Sequence, residues 1–267
     1  RIFRIKTAAV NGNTFSGGNT VNIDLAGNMA NSYYSFASAY CKFFIQNTAV
    51  AGNDCTLDGN IGGYGTWDRV QFITAGQTIS DIQQFNVLAS TLMSQNVSAE
   101  WRQNIGANMI GCSATGGYMA GLPLVSGADP TPICLPLILT ALSNSQRVIP
   151  AFGRDSLRMR IGITPDSLAV QSAGTPILQY TNYELVMYVL ELSPQAQALV
   201  NTMCGGLYQI LCGDYRTANG SFSTAVLGNI TTTQTLGFSV SSLERLLIVT
   251  RNSATQVFAS NSISARS

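Results

Sequence analysis

The feature that most constrains this sequence is apolar alternation at strand length, repeated along the chain and broken by Gly, Asn and Ser. "DSLRMRIGITP" puts Leu157, Met159, Ile161 and Ile163 on one face and Arg158, Arg160 and Gly162 on the other. That period of two marks a half-buried strand. "TVNIDLAG", "SAYCKFFIQNT", "WDRVQFITAG", "PICLPLILTALS" and "YTNYELVMYVLEL" add further strands, and "RIFRIKTAAVNG" already reads as one at the start. Many short strands with Gly-rich connections favour an all-β sandwich or jelly roll over βαβ units.

Helical spacing is the exception. In "TWDRVQFITAGQTISDIQQFNVLASTLM", Val70, Phe72 and Thr74 share one strand face opposite Arg69, Gln71 and Ile73, and Ala75-Gly76-Gln77 then breaks the run. Ile79, Ile82, Phe85, Leu88, Ala89 and Leu92 recur at helical spacing, with Thr78 as N-cap and Asp81 completing a capping box. The expectation is a helix over Thr78–Met93, followed by a short turn over Val97–Asn104 capped by Ser98. The helical excursion thus spans 78–104. "SPQAQALVNTM" predicts a second helix, with Ser193 as N-cap and Pro194 in the first turn.

Composition bears on what such a β-protein can do. The 267 residues suffice for one large β-domain or two ordinary ones. Charged residues make up 10%, against roughly 25% for an average soluble domain. Net charge is +1, so no bulk field attracts nucleic acid or an anionic membrane. Lys6 and Lys42 are the only lysines. With 46% hydrophobic residues the chain folds rather than staying disordered. So weakly charged a surface favours association, which suggests a subunit buried in an assembly. No run of about 18 apolar residues is present to form a membrane-spanning helix.

Chemistry has little to work with. There is no histidine, which removes Ser-His-Asp and Cys-His catalysis, His-ligated zinc and the usual general base near neutral pH. Cys41, Cys55, Cys112, Cys134, Cys204 and Cys212 contain no CxxC pair and are read as single buried thiols. Asp54 and Asp58 in "GNDCTLDGN" approach a calcium loop but lack the alternating ligands and terminal Glu, so they read as a solvated turn. "GNIGGYGTW" and "GCSATGGYMAG" lack the strand-to-helix context and Lys of a phosphate cradle, and read as long loops. Trp67, Trp101, Tyr33, Tyr34, Phe36 and Tyr40 could stack on bases or sugars, but without basic neighbours they are assigned to packing. No catalytic, cofactor-binding or metal site is expected, and no enzymatic turnover. The sequons at Asn96, Asn219 and Asn229 carry little weight in so Asn-, Ser- and Thr-rich a chain.

Past Asp166, "TPDSLAVQSAGTP" reads as a linker, after which strand patterning restarts. "SLERLLIVTRNSATQ" echoes "TWDRVQFITAGQTIS" when Arg245 is aligned with Arg69. This predicts a duplicated fold, with a first roll over 1–166, a linker over 167–182 and a partial second roll over 183–267.

These stretches, together with "LDGNIGGYGTWDRVQFITAGQTISDIQQFNVLASTLM", "ICLPLILTALSNSQRVIPAF" and "NSISARS", occur in one order. In that order the sequence resembles the double jelly-roll major capsid proteins of tailless icosahedral double-stranded DNA viruses, most closely the virophage and Polinton-like branch. The resemblance implies two side-by-side eight-stranded rolls, the second incomplete here, with one or two short helices in loops. It implies a structural protein of the virion, assembled inside the host cell as a homotrimer that forms pseudo-hexagonal capsomers. Implied partners are neighbouring capsomers and minor capsid and penton proteins, with no sequence-specific nucleic acid and an internal membrane possible. Family members are longer, so residues beyond both ends of this chain are expected. The alternatives are a secreted carbohydrate-binding β-sandwich, and a single-roll vertex protein of the same viruses.

Overall fold

A computed structural model of the protein describes residues 1–112, 121–138, 140–143, 148–153, 155–172, 174–205, 207–210, 213–220, 235, 237 and 242–249. Its strands are β1 (Ile2–Ala8), β2 (Thr14–Ser16), β3 (Thr20–Leu25), β4 (Ser32–Asn47), β5 (Cys55–Thr56), β6 (Trp67–Thr74) and β7 (Gln77–Gln83). They continue with β8 (Pro123–Leu124), β9 (Thr131–Pro136), β10 (Ile149–Pro150), β11 (Leu157–Ile163), β12 (Gln171–Ser172) and β13 (Leu178–Glu191). Helices are α1 (Phe85–Asn96), α2 (Ala99–Trp101), α3 (Ala107–Met109), α4 (Asp166–Ala169) and α5 (Pro194–Met203).

Two antiparallel sheets face each other. One runs β1-β13-β4, with β9 and β10 both on the far side of β4, and the other runs β3-β11-β6-β7. Apart from the β6–β7 hairpin, consecutive major strands therefore alternate between sheets, and the last one, β13, lies between the first and the third. This order is an eight-stranded jelly roll, so the all-β reading holds. A small third sheet, β12-β5-β8, closes one end.

The sandwich core is aromatic. Trp67, Tyr34, Tyr180, Tyr183, Phe36, Phe43, Phe72 and Phe85 are all fully buried. Phe43 of β4 stacks on Tyr183 of β13 at 4.5 Å between ring centres, and Phe36 meets Phe72 of the facing sheet edge-on at 5.6 Å. These offset and edge-to-face contacts are the geometries that ring quadrupoles prefer.

The helix expected from Thr78 begins only at Phe85. Residues 77–83 are instead the strand β7, joined to β6 by a tight turn in which Ala75 (φ 49°) and Gly76 (φ 75°) both take positive φ. Two such residues between paired strands match a type I′ hairpin. Asp81, expected in a capping box, is held by Arg69 of β6 instead (Nε to Oδ1 2.7 Å, Nη2 to Oδ2 2.6 Å). Hairpin pairing overrides the helical spacing of Ile79 and Ile82, and leaves Ile79 exposed while Ile82 enters the core. From Phe85 onward the expected helix is present. Phe85, Ala89, Leu92 and Met93 are buried, and the helix lies against β6 and the 3-10 turn Gly63–Thr66. Ser98 caps α2, accepting from the Trp101 N–H at 3.2 Å, and Ser193 caps α5, accepting from the Ala196 N–H at 3.2 Å.

The division at 166 does not hold. Residues 167–182 include most of α4, all of β12 and the start of β13. Tyr183–Glu191, expected to open a second roll, pairs instead with β1 on one side and β4 on the other. The first roll thus ends at Glu191, because its central strand is its last. Leu243–Val249, which contains the echo of Arg69, forms no strand, and Leu246 is exposed. The rest of the expected second roll falls mostly outside the described residues.

A fragment of residues 1–166 should accordingly fail to fold, since it leaves β1 without its strand partner and β4 paired on one side only, and opens the core. Circular dichroism and a melting curve check this, with a fragment ending after Glu191 as the comparison.

Candidate assembly surface

The two outer faces of the sandwich differ in chemistry. On the four-stranded sheet the outward residues form polar rows across the strands. Asp24 stands opposite Arg158, and Asn22, Arg160, Gln71 and Asp81 follow one another from β3 to β7. Arg158 grips Asp24 bidentately (2.6 and 2.7 Å), as Arg69 grips Asp81. Both acids are held below the ordinary aspartate range, mainly by the hydrogen bonds from their arginines. The free edge at β3 is blocked by Asn11, whose side-chain amide donates to Thr20 O (2.7 Å) and accepts from Asn22 N (2.8 Å) as a strand would.

The outer face of the six-stranded sheet mixes apolar and charged residues. Its rows read Pro136, Tyr40, Val186 and Lys6, then Cys134, Lys42, Glu184 and Ala8, then Pro132, Phe44, Thr181 and Thr14. Lys42 lies over the Phe44 ring at 5.4 Å, covering part of it with a cation that retains water. Tyr188, opposite Arg4, is 47% exposed, and Ile2 beside it on β1 is exposed as well. One sheet thus presents paired charge to solvent, and the other mixes rings and prolines with Arg4, Lys6, Lys42 and Glu184.

The chain after β13 borders this face. Tyr33 donates its hydroxyl to Gln197 Oε1 of α5 at 3.0 Å, and its ring meets Phe152 edge-on at 5.4 Å. Leu199 and Met203, on the opposite side of α5, are 62% and 78% exposed. Further on, Ser80 donates to Asp214 (2.6 Å) and Thr217 to the Gln83 carbonyl (3.0 Å), so the segment around 213–217 lies along the free edge of β7. Sequence reasoning missed this strap, for which no periodic signal exists.

The residues weighed for chemistry separate. Tyr34, Phe36 and Trp67 are buried in the roll and Tyr33 is buried beneath α5, while Trp101 and Tyr40 are half-buried, so they form no exposed stacking platform. Asp54 is on the surface, accepting from Ser126 N and Oγ, whereas Asp58 is 2% exposed. The solvated turn expected at Asp58 is therefore corrected: the turn is folded into the core. Cys41, Cys55 and Cys112 are buried free thiols, as expected, but Cys134 is half-buried and Cys204 exposed. Burial pushes the thiols of Cys55 up to about 11 and Cys112 up to about 12, away from the reactive thiolate. Among the described residues no three His, Cys, Asp or Glu side chains cluster as metal ligands, and no helix is long and apolar enough to cross a membrane.

No protein-family model matches the sequence, and no curated protein matches it. Solved structures do. A chain of the Sputnik virophage is 7% identical, with a TM-score of 0.49 over 73% of this chain and 48% of that one. The Faustovirus major capsid protein is 10% identical, with a TM-score of 0.48 over 76% and 56%. A PBCV-1 capsid chain is 14% identical, with a TM-score of 0.49 over 74% and 44%. The chain thus spans about half the length of the structures it matches. The strand order assigns the fold without them.

On the charged face, Arg158→Ala should destabilise by under ~1 kcal/mol in urea unfolding, since both partners are partly exposed. With Asp24 held low, the contribution is present at neutral pH and fades as pH falls below the ordinary aspartate range. The chain is a jelly-roll protein whose solved likenesses include viral capsid chains.

Proposed function

We propose that this chain is a structural subunit of an icosahedral virus shell, the roll-bearing part of a major capsid protein that trimerises into pseudo-hexagonal capsomers. The observation that carries this reading is the contrast between the two faces of one rigid roll. One is sealed by ion pairs and a blocked edge, and the other sets Tyr40, Phe44, Pro132 and Pro136 among a few charges, with Tyr188 and Ile2 exposed. Uncovered, such a face is a liability for a dissolved monomer. Covered by a neighbour, it supplies the apolar core of a contact of standard size, about 800 Å² per partner. Low charge and the absence of histidine suit a protein whose work is contact rather than chemistry. In this reading the protein resides in the virion, and neighbouring capsomers and minor capsid and penton proteins are its further partners. A second roll would lie beyond Glu191.

Analytical ultracentrifugation of the full-length protein tests this. A trimer is expected, and Tyr188→Glu should shift it toward monomer while changing the melting temperature by no more than a few degrees, because the side chain is half exposed. A monomer at every concentration would overturn the reading.

A further inference from the structure

We propose that Asp58 is a proton-operated clamp between the loop 57–66 and the helical excursion 85–112: neutral, it lets the two close on each other, and ionised, it loosens them. The geometry has three parts. First, the carboxylate is interior and served by its own loop, accepting from Asn60 N at 2.7 Å and Ile61 N at 3.2 Å. Second, the loop is stitched to the far end of the excursion. Gly63 N donates to Ile110 O at 2.6 Å and the Cys112 thiol donates to Asn60 O at 3.4 Å, while Leu57 N donates to Leu122 O, beyond the excursion, at 3.0 Å. Third, the join has no slack. Gly62 sits at φ 51°, where a methyl group would overlap the Ile110 carbonyl, and one on Gly121 would overlap the Leu57 carbonyl.

The charges around Asp58 do not neutralise it. Arg102, which opens the π-helix Arg102–Gly106 between α2 and α3, is the cation that acts on it. Its guanidinium is committed elsewhere, with Nη2 donating to Met93 O at 2.6 Å and Nε buried without a partner. Arg102 and Asp58 form no ion pair among the described residues. The other titratable neighbour is Cys112, neutral at these pH values. An ionised Asp58 is therefore a buried charge answered by two N–H groups and a cation at a distance, which is a costly arrangement.

Burial pushes the Asp58 carboxyl up to about 6, against the pull of the two N–H bonds and Arg102. A folded-state value above the unfolded one means that protonation favours the folded form. Closure is tightest below the unfolded value near 4, weakens as pH rises through about 6, and levels off above it. A shift of about two units corresponds to up to ~100-fold in the closing equilibrium. The direction is opposite to acid-triggered loosening.

Hydrogen exchange on the full-length protein tests the clamp through protection factors for amides 60–63 and 107–112 at about pH 5 and about pH 7.5. Wild type should be more protected at the lower pH, by about tenfold, since pH 5 already lies above the unfolded value. Asp58→Asn should be equally protected at both. Equal wild-type protection at the two pH values, or greater protection at the higher one, would overturn the proposal. Should the variant not fold, carboxyl NMR of carbon-13 aspartate-labelled wild type decides. A midpoint near 6 supports the clamp, and one in the ordinary range near 4 sinks it.

Discussion

The structure depends on the insertion of β13 between β1 and β4. Leu178–Glu191 makes strand pairs on both sides and brings Tyr180, Tyr183, Leu185, Met187 and Val189 into the core. Because the last strand of the roll completes the sheet begun by the first, neither β1 nor β4 can satisfy its backbone groups until residues near 190 have been made. This non-local closure dictates the rest. The two sheets can face each other only once the wider one is whole, and the loops 57–66 and 85–112 then find a finished core to close against.

The strands were legible because their burial period is two. The run from Leu157 to Ile163 alternates buried and half-buried residues as its sequence does. The capped helix at Ser193 was legible for a different reason, since a cap and a first-turn proline are local chemistry. Two things were not legible. At Thr78–Gln83, helical and strand periods both fit, and only the partner strand β6 decides between them. At 166–178, the Pro, Gly and Ser that look like a linker are turns within a roll. Asp166 accepts from the Leu178 N–H at 3.0 Å there, tying the turn to the start of β13. Composition reports flexibility of the unfolded chain, whereas domain identity lies in which strands pair.

The candidate surface was legible only in outline. Low charge announced a protein made for contact, but which face makes the contact depends on register. Arg158 and Lys42 both alternate with apolar neighbours, yet one meets Asp24 across the sheet and the other lies over Phe44. The clamp at Asp58 was hidden for the same reason. "LDGN" looks like an exposed turn until the excursion returns to Ile110 and covers it.

Residues 1–191 form one roll with β13 at its heart. Native-state hydrogen exchange read at β13 and β4 tests it most directly. The amides of Leu185–Val189 and Cys41–Ile45 should exchange together, only through global unfolding, and be the slowest in the protein. Exchange of β13 as a separate, faster group, with β1 and β4 still protected, would contradict it.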